Sequence, residues 1–299
     1  MRDKILAIVK NEYGLKIDNF EFVPIGEESY AYKITSSDKY FFVKYTENAD
    51  AIENLSKSKQ LFQKLSGLSF YVGPVSVNGE LFFPLGKGVV TVTPFITGTV
   101  VTAANPEFDQ DLITWIVDAM AQIHQLDISG CPLKSESFTN NYKKRFDVLL
   151  KSAEELPSDS KVLGVINEIK DRIVKKISRQ DDLSQELINS PKDFVLTHGD
   201  ITGLNIMRSG SSTFLLDWDG VRLAPRERDI MFIEYNQYFV PEKYLKKVER
   251  VSYDPRIIEY YHLAWALDSM IENLEKIISV QIHEQNVQEY LNEVIEYSN

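Results

Sequence analysis

Cysteine is almost absent from this 299-residue chain, where Cys131 stands alone. A single thiol excludes an internal disulfide and a thiolate metal cluster, and it suits a reducing compartment, so a cytoplasmic protein is expected. Long apolar runs are missing too, which argues against a bilayer-spanning helix and a membrane partner. Met1 to Lys10 lacks an extended apolar stretch and a small-residue cleavage pattern, and reads as a short amphipathic helix, not a signal peptide. Positive charge is in deficit: 33 Lys and Arg against 44 Asp and Glu give a net charge of −11. That balance argues against a nucleic-acid partner and would suit a cationic small substrate. There is no internal repeat and no GxGxxG loop.

What is present falls into two regions. Runs at Phe20–Ile25, Ser29–Ile34 and Tyr40–Tyr45, separated by turn residues, read as an antiparallel meander. Asn48 is a plausible N-cap for a helix carrying Ile52, Leu55, Leu61, Phe62 and Leu65 and stopped by Gly67. Further β runs are expected at Phe70–Val77 and Val89–Phe95. Beyond Pro94-Phe95-Ile96-Thr97-Gly98 the β character fades. Asn105-Pro106 opens a helix whose apolar face is Leu112, Trp115, Ile116, Ala119, Met120 and Ile123. Phe138 to Ser190 reads as helices divided at Pro157, and Pro255 to the end reads as helix. The expectation is an α+β protein: a β-rich N-terminal lobe over 1–95 with one key helix, a hinge at about 93–98, and a mainly helical lobe over 96–299.

The chemistry concentrates in Val195-Leu196-Thr197-His198-Gly199-Asp200, with Asn205 five positions later, and in Leu215-Leu216-Asp217-Trp218-Asp219. Two apolar strands end in carboxylates. Asp200 can receive a hydroxyl proton, while Asn205 and Asp217 offer oxygen ligands that together can hold Mg²⁺ bridging nucleotide phosphates. Gly199 permits a backbone conformation barred to other residues, so Asp200 can be held in one pose. Lys44, near the end of an apolar strand, and Glu53 on the next helix make a pair suited to holding an ammonium against phosphates. Gly26-Glu27-Glu28-Ser29-Tyr30 carries a single Gly. A plain hairpin is its local reading; if it covers phosphates, Ser29 and nearby backbone N–H groups must donate.

These motifs resemble the aminoglycoside phosphotransferase family, whose fold is protein-kinase-like. The resemblance spans nearly the whole chain. It implies Asp200 as catalytic base, Asn205 and Asp217 as Mg²⁺ ligands, Lys44 and Glu53 as the strand–helix pair, and ATP or GTP as donor. Asp217 to Ile233, including Arg226-Glu227-Arg228-Asp229, is similar to the matching segment of spectinomycin (aminocyclitol) phosphotransferases. The implied reaction is phosphorylation of a hydroxyl on a cationic amino sugar or aminocyclitol. Phe95 and Ile96 would flank a purine, with backbone near Thr93 reading its edge. Asp219, Glu234, Tyr235, Tyr238, Trp265 and Asp268 are candidates for the acceptor side, since a cationic sugar needs carboxylates and apolar ring faces. Arg226 to Asp229 reads first as a salt-bridged helix start, and second as a brace in which Asp229 holds the metal-binding loop. His124, closing the long helix, reads as a packed, hydrogen-bonded residue. A monomer is expected over an oligomer. The competing functions are a metabolic kinase acting on choline, homoserine or a methylthio sugar, and a non-catalytic kinase-like binding module. The intact Lys44, Asp200, Asn205 and Asp217 argue against the module.

Overall fold

The computed structural model describes the chain apart from residues 24–28, 58, 102–109, 191–192, 202, 236–240, 250–251, 280–283 and 299, and apart from the side chains of 29, 50, 110, 203, 233–235, 241 and 284–286. After helix α1 (Arg2–Asn11) come strands β1 (Asn19–Val23), β2 (Ser29–Ser36) and β3 (Lys39–Thr46). Helices α2 (Ala49–Lys57) and α3 (Lys59–Leu65) follow, then β4 (Phe83–Leu85) and β5 (Gly88–Pro94). The five strands form one antiparallel sheet in the order β1-β2-β3-β5-β4. A two-residue turn joins β2 to β3, with Ser37 at φ 49° and Asp38 at φ 64°. Positive φ at both turn positions matches the strand twist of a tight hairpin. Alternation then sorts the faces. Tyr32, Ile34, Val43, Tyr45, Val90 and Val92 pack with Ile5 and Val9 of α1. Ala31, Lys44 and Thr91, paired in one register row, share the other face.

One expectation for this region needs correction. Phe70–Val77 forms no strand of its own, because Gly73-Pro74 interrupts it and proline brings no N–H to a ladder. Tyr71 and Val77 make only isolated bridges, to Leu215 and Glu80. The helical stretch after Asn48 is described as α2 and α3, on either side of residue 58. The Asn48 side chain accepts from the Ala51 N–H at 3.0 Å and satisfies one orphan donor of the first turn.

The chain continues through β6 (Thr99–Val100), α4 (Gln110–His124), α5 (Tyr142–Ala153), α6 (Lys161–Ile188), β7 (Phe194–Thr197), β8 (Ile206–Ser209), β9 (Ser212–Leu215) and β10 (Arg222–Pro225). It ends with α7 (Glu227–Tyr235), α8 (Pro241–Lys247), α9 (Pro255–Ile278) and α10 (Glu284–Ser298). Contacts group these elements into two units: Met1–Glu136 with Phe194–Ser252, and Ser137–Asp193 with Tyr253–Asn299. This grouping is drawn differently from a boundary at residue 95. The five-stranded sheet is tied to the later strands: the Leu215 N–H donates to the Phe70 carbonyl at 2.9 Å, and α2 packs on the turn at Trp218–Gly220. Within this first unit β10 pairs antiparallel with β7, and β6-β8-β9 form a small sheet. Both carboxylate-bearing turns therefore hang on short hydrogen-bonded strands.

The second unit contains α5, α6, α9 and α10. On α6, Ile166, Ile169, Ile173 and Ile177 recur every three or four residues and are buried against Leu267, Met270, Ile271 and Leu274 of α9 and Val294 of α10. Asp254 caps α9 by accepting from the Arg256 N–H at 2.9 Å, and Pro255 occupies the first turn, where its missing N–H costs nothing. Among the described residues no helix is long and apolar enough to cross a membrane. Because Ile173 is fully buried, Ile173→Ala should cost about 2–5 kcal/mol of stability. Urea unfolding checks this: the midpoint should fall with the slope unchanged.

Candidate active site

The site is built from the ends of β7 and β9. β7 stops at Thr197, and the next backbone N–H groups are fixed by a buried carboxylate. Asp229, on the first turn of α7 and fully buried, accepts from the His198 N–H at 2.9 Å and the Gly199 N–H at 2.6 Å. It also meets His124 Nε2 at 3.0 Å, and His124 Nδ1 bonds the buried Tyr244 hydroxyl. Burial alone would raise the Asp229 acid, but the His124 hydrogen bond, then the charges of His124, Arg228 and His198, outweigh it and hold the group below the usual carboxylate range.

Gly199 has φ 87°, and a Cβ built there would lie 2.0 Å from the Arg228 guanidinium. That guanidinium donates to the Thr197 hydroxyl at 2.9 Å and the Gly220 carbonyl at 3.0 Å, joining the two turns. Arg226 to Asp229 is a largely buried helix start that braces the two turns; Arg226, Glu227 and Asp229 are all below a tenth exposed. The reason is position: the run begins directly at the end of β10, so its side chains face the strands and not solvent.

His198 is buried, donates from Nε2 to the Leu216 carbonyl at 3.0 Å, and receives the Asp200 N–H at Nδ1 over 3.3 Å. Asp200 is exposed, and its Oδ2 accepts from Asn205 Nδ2 at 2.8 Å, while the same amide reaches the Asp200 carbonyl at 3.0 Å. Asn205 thereby points its nitrogen at Asp200 and keeps its oxygen as the atom suited to a cation. After β9, Asp217 adopts a left-handed conformation, φ 57° and ψ 69°, uncommon outside Gly and tolerated by Asp. Its carboxylate is about half exposed and bonds Lys44 Nζ at 3.1 Å; Asp219 bonds the same ammonium at 2.8 Å. Burial works to lower the Lys44 ammonium, but Asp219 and then Asp217 overcome it and raise it above the usual lysine range. Burial pushes the Asp219 carboxyl upward against the pull of Lys44.

Lys44, Asp200, Asn205, Asp217 and Asp219 are therefore all in the first unit, with Lys44 bonded to Asp217 and Asp219, and Asn205 to Asp200. Glu53 is not paired with Lys44; it bonds Lys57 one turn on at 2.6 Å, on the exposed side of α2. Asn54, which sequence reasoning missed, faces inward and donates to the carbonyls of Asp219 and Val221, each at 2.9 Å. Helical spacing held the signal, since Asn54 shares a face with the buried Ala51 and Leu55 while Glu53 goes with Lys57. Thr93 lies on β5 with its hydroxyl near the Phe42 carbonyl at 3.5 Å, and the Phe95 N–H bonds the Tyr40 carbonyl at 3.0 Å. Lys33 sits over the Phe95 ring at 5.0 Å, and Ile96 is half-buried beside it in sequence. The Gly26 turn, Tyr238 and the side chains of Ser29, Glu234 and Tyr235 lie outside the described residues. Trp265 and Asp268 belong to the second unit. There Trp265 packs on Tyr297, and Asp268 is engaged by Arg145 at 3.2 Å and the Tyr142 hydroxyl at 3.0 Å.

The model of the family described as "Phosphotransferase enzyme family" matches residues 19–269. Among solved structures, the chain is similar to spectinomycin phosphotransferase APH(9)-Ia in complex with ADP and spectinomycin, at 21% identity over 98% of this chain and 93% of that one, with a TM-score of 0.78. It is also similar to APH(2")-IIIa with GDP and kanamycin, at 13% identity over 100% and 97%, TM-score 0.61. Amicoumacin kinase hAmiN in complex with AMP-PNP, Ca²⁺ and Ami gives 15% identity over 100% and 96%, TM-score 0.64. These likenesses show a kinase-like α+β fold, β-rich in its N-terminal region and helical in its C-terminal region. A comparison with curated proteins found no match.

Two outcomes follow for the turn at Gly199. Gly199→Ala should lower turnover on the order of a hundredfold, because displacing Arg228 or the backbone by about 1 Å misplaces Asp200; steady-state kinetics on the folded variant checks it. The second concerns pH. Burial holds the His198 imidazole below its usual range despite the upward pull of Asp229. The unfolded chain therefore takes up a proton near pH 6.5 that the folded chain refuses, so stability present above about 6.5 is lost as pH falls below it. Asp229 adds a further loss below about pH 4. Urea midpoints from pH 8 to 5 should decline in the native protein and decline less in His198→Gln.

Proposed function

The chain belongs to the phosphotransferase enzyme family, and from that premise we propose that it transfers the γ-phosphate of ATP or GTP to a hydroxyl of an aminocyclitol or aminoglycoside. One observation carries the reading: Asp200, braced by Asn205, and the Lys44–Asp217–Asp219 cluster all occur together in one unit. Asp200 takes the proton of the attacking hydroxyl. A carboxylate is a weak base for a free alcohol, but it needs only to accept as the bond to phosphorus forms. The Asn205 amide fixes which oxygen of Asp200 is turned toward the acceptor, and the Asp229 bonds to His198 and Gly199 fix where that turn lies. Lys44 supplies positive charge for the nucleotide phosphates, an electrostatic contribution that grows as charge shifts to the leaving oxygen.

The donor set suits Mg²⁺ carried with a nucleotide. Among the described residues no group of three or more His, Cys, Asp and Glu encloses a metal position. A nucleotide-borne Mg²⁺ requires one or two carboxylates, with phosphates and water completing the shell. Asp217 and the Asn205 amide oxygen would hold it, and when bound it would neutralise charge on the β- and γ-phosphates.

For the acceptor, support comes from the segment Asp217 to Ile233, whose sequence is similar to spectinomycin phosphotransferases, and from a net charge of −11, which favours a cationic substrate. A panel of aminocyclitols, aminoglycosides, choline, homoserine and methylthioribose, assayed with labelled nucleotide, tests this directly. Turnover confined to choline, homoserine or methylthioribose would replace the antibiotic acceptor with a metabolic one. In the same assay Asp200→Asn should lose roughly 10²- to 10⁴-fold in kcat while still binding nucleotide. Undiminished turnover would remove Asp200 from its role.

A further inference from the structure

Lys44 takes its two carboxylates from the segment after β9. Asp219 is the nearer, at 2.8 Å against 3.1 Å for Asp217, and the less exposed, at 34% against 49%. Helix α2 serves this arrangement from behind. Glu53 is turned to Lys57, while Asn54 holds the backbone carbonyls of Asp219 and Val221 at 2.9 Å each. A neutral amide on the helix thus fixes the carboxylate segment, and the segment fixes the lysine.

We propose that Asp219 is the positioning residue for Lys44, in place of a helix carboxylate, and that the Lys44 ammonium is a place-holder on Asp217 that keeps divalent cations off it until a nucleotide arrives. The proposal rests on the phosphotransferase reading of the site. An ammonium 3.1 Å from Asp217 Oδ1 and a divalent cation on the same carboxylate repel one another strongly. Nucleotide phosphates change the balance by offering the ammonium new anionic acceptors. Asp219 keeps its hold on Lys44, Asp217 is released, and the cation that travels with the phosphates finds a free carboxylate. Cation and nucleotide therefore bind together, and cation alone binds poorly.

The test measures binding and needs no acceptor. Mn²⁺, a spectroscopically visible stand-in for Mg²⁺, is titrated into nucleotide-free native protein and into Lys44→Met. Removal of the ammonium leaves Asp217 and Asp219 without their counter-charge, so Mn²⁺ should bind the variant about tenfold tighter or more; unchanged or weaker binding overturns the place-holder. Lys44→Gln serves the same purpose where the Met variant does not fold. Calorimetric titration with metal-free nucleotide tests the positioning role: Asp219→Asn should weaken binding about tenfold, and an equal or larger loss in Glu53→Gln would return the role to the helix carboxylate. Failure of every acceptor in the turnover assay would sink the phosphotransferase reading while leaving these binding results intact.

Discussion

A buried carboxylate holds the His198-Gly199-Asp200 turn in place. Asp229 spends its two oxygens on the N–H groups of His198 and Gly199 and on the His124 ring, all out of contact with water. An unpaired carboxylate in such a place would cost several kcal/mol, and removing any one of its donors would leave that cost partly uncompensated. The turn preceding Asp200 is therefore not a flexible loop that visits a reactive geometry. The path observed satisfies the buried charge, and Gly199, at φ 87°, is the residue that lets it be taken.

Around this constraint the site divides into a rigid half and a responsive half. His124, Tyr244, Asp229 and Arg228 are locked among themselves and through the backbone of both turns. Lys44, Asp217 and Asp219 are held by charge, partly in solvent, and Asp217 carries an uncommon backbone conformation. Charge pairs of this exposure reorganise at small cost when new charges enter. The division suits the proposed reaction: a base would be in place before the acceptor arrives, whereas the groups proposed to meet phosphates and metal would exchange one partner for another.

Much of this was legible in the sequence. Alternation and tight turns gave away β1, β2, β3 and β5, because strand pairing repeats locally, and Phe138 to Ser190 read as helices divided at Pro157. His198 to Asn205 and Leu215 to Asp219 stood out because polar residues ended apolar strands at a particular spacing. The partner of Lys44 did not stand out. Glu53 has the right charge in roughly the right place, but a shift of one position around a helix turns a side chain by about 100°, and Asn54 took the inward direction. The bracing role of Asp229 was legible only as a second reading, since an Arg-Glu-Arg-Asp run looks first like a salt-bridged helix start until β10 is seen to deliver it against two strand ends. Phe70–Val77 misled for the opposite reason: its residues favour strand, but Gly73-Pro74 denies them a ladder.

The second unit has a consequence for how the chain is made. Its core is shared between α6, which ends at Ile188, and α9, which begins at Pro255. The ribosome must add the whole β7-to-α8 stretch between them before the isoleucine stripe of α6 meets its cover. At typical synthesis rates that interval is on the order of 3 to 13 s. During it a long apolar helix face is exposed in a half-made protein, while the strands of the reacting turns are already emerging. The order of assembly is thus written into the connectivity: the first unit can gather its segments before Ser252, and the second must wait for the helices that come last.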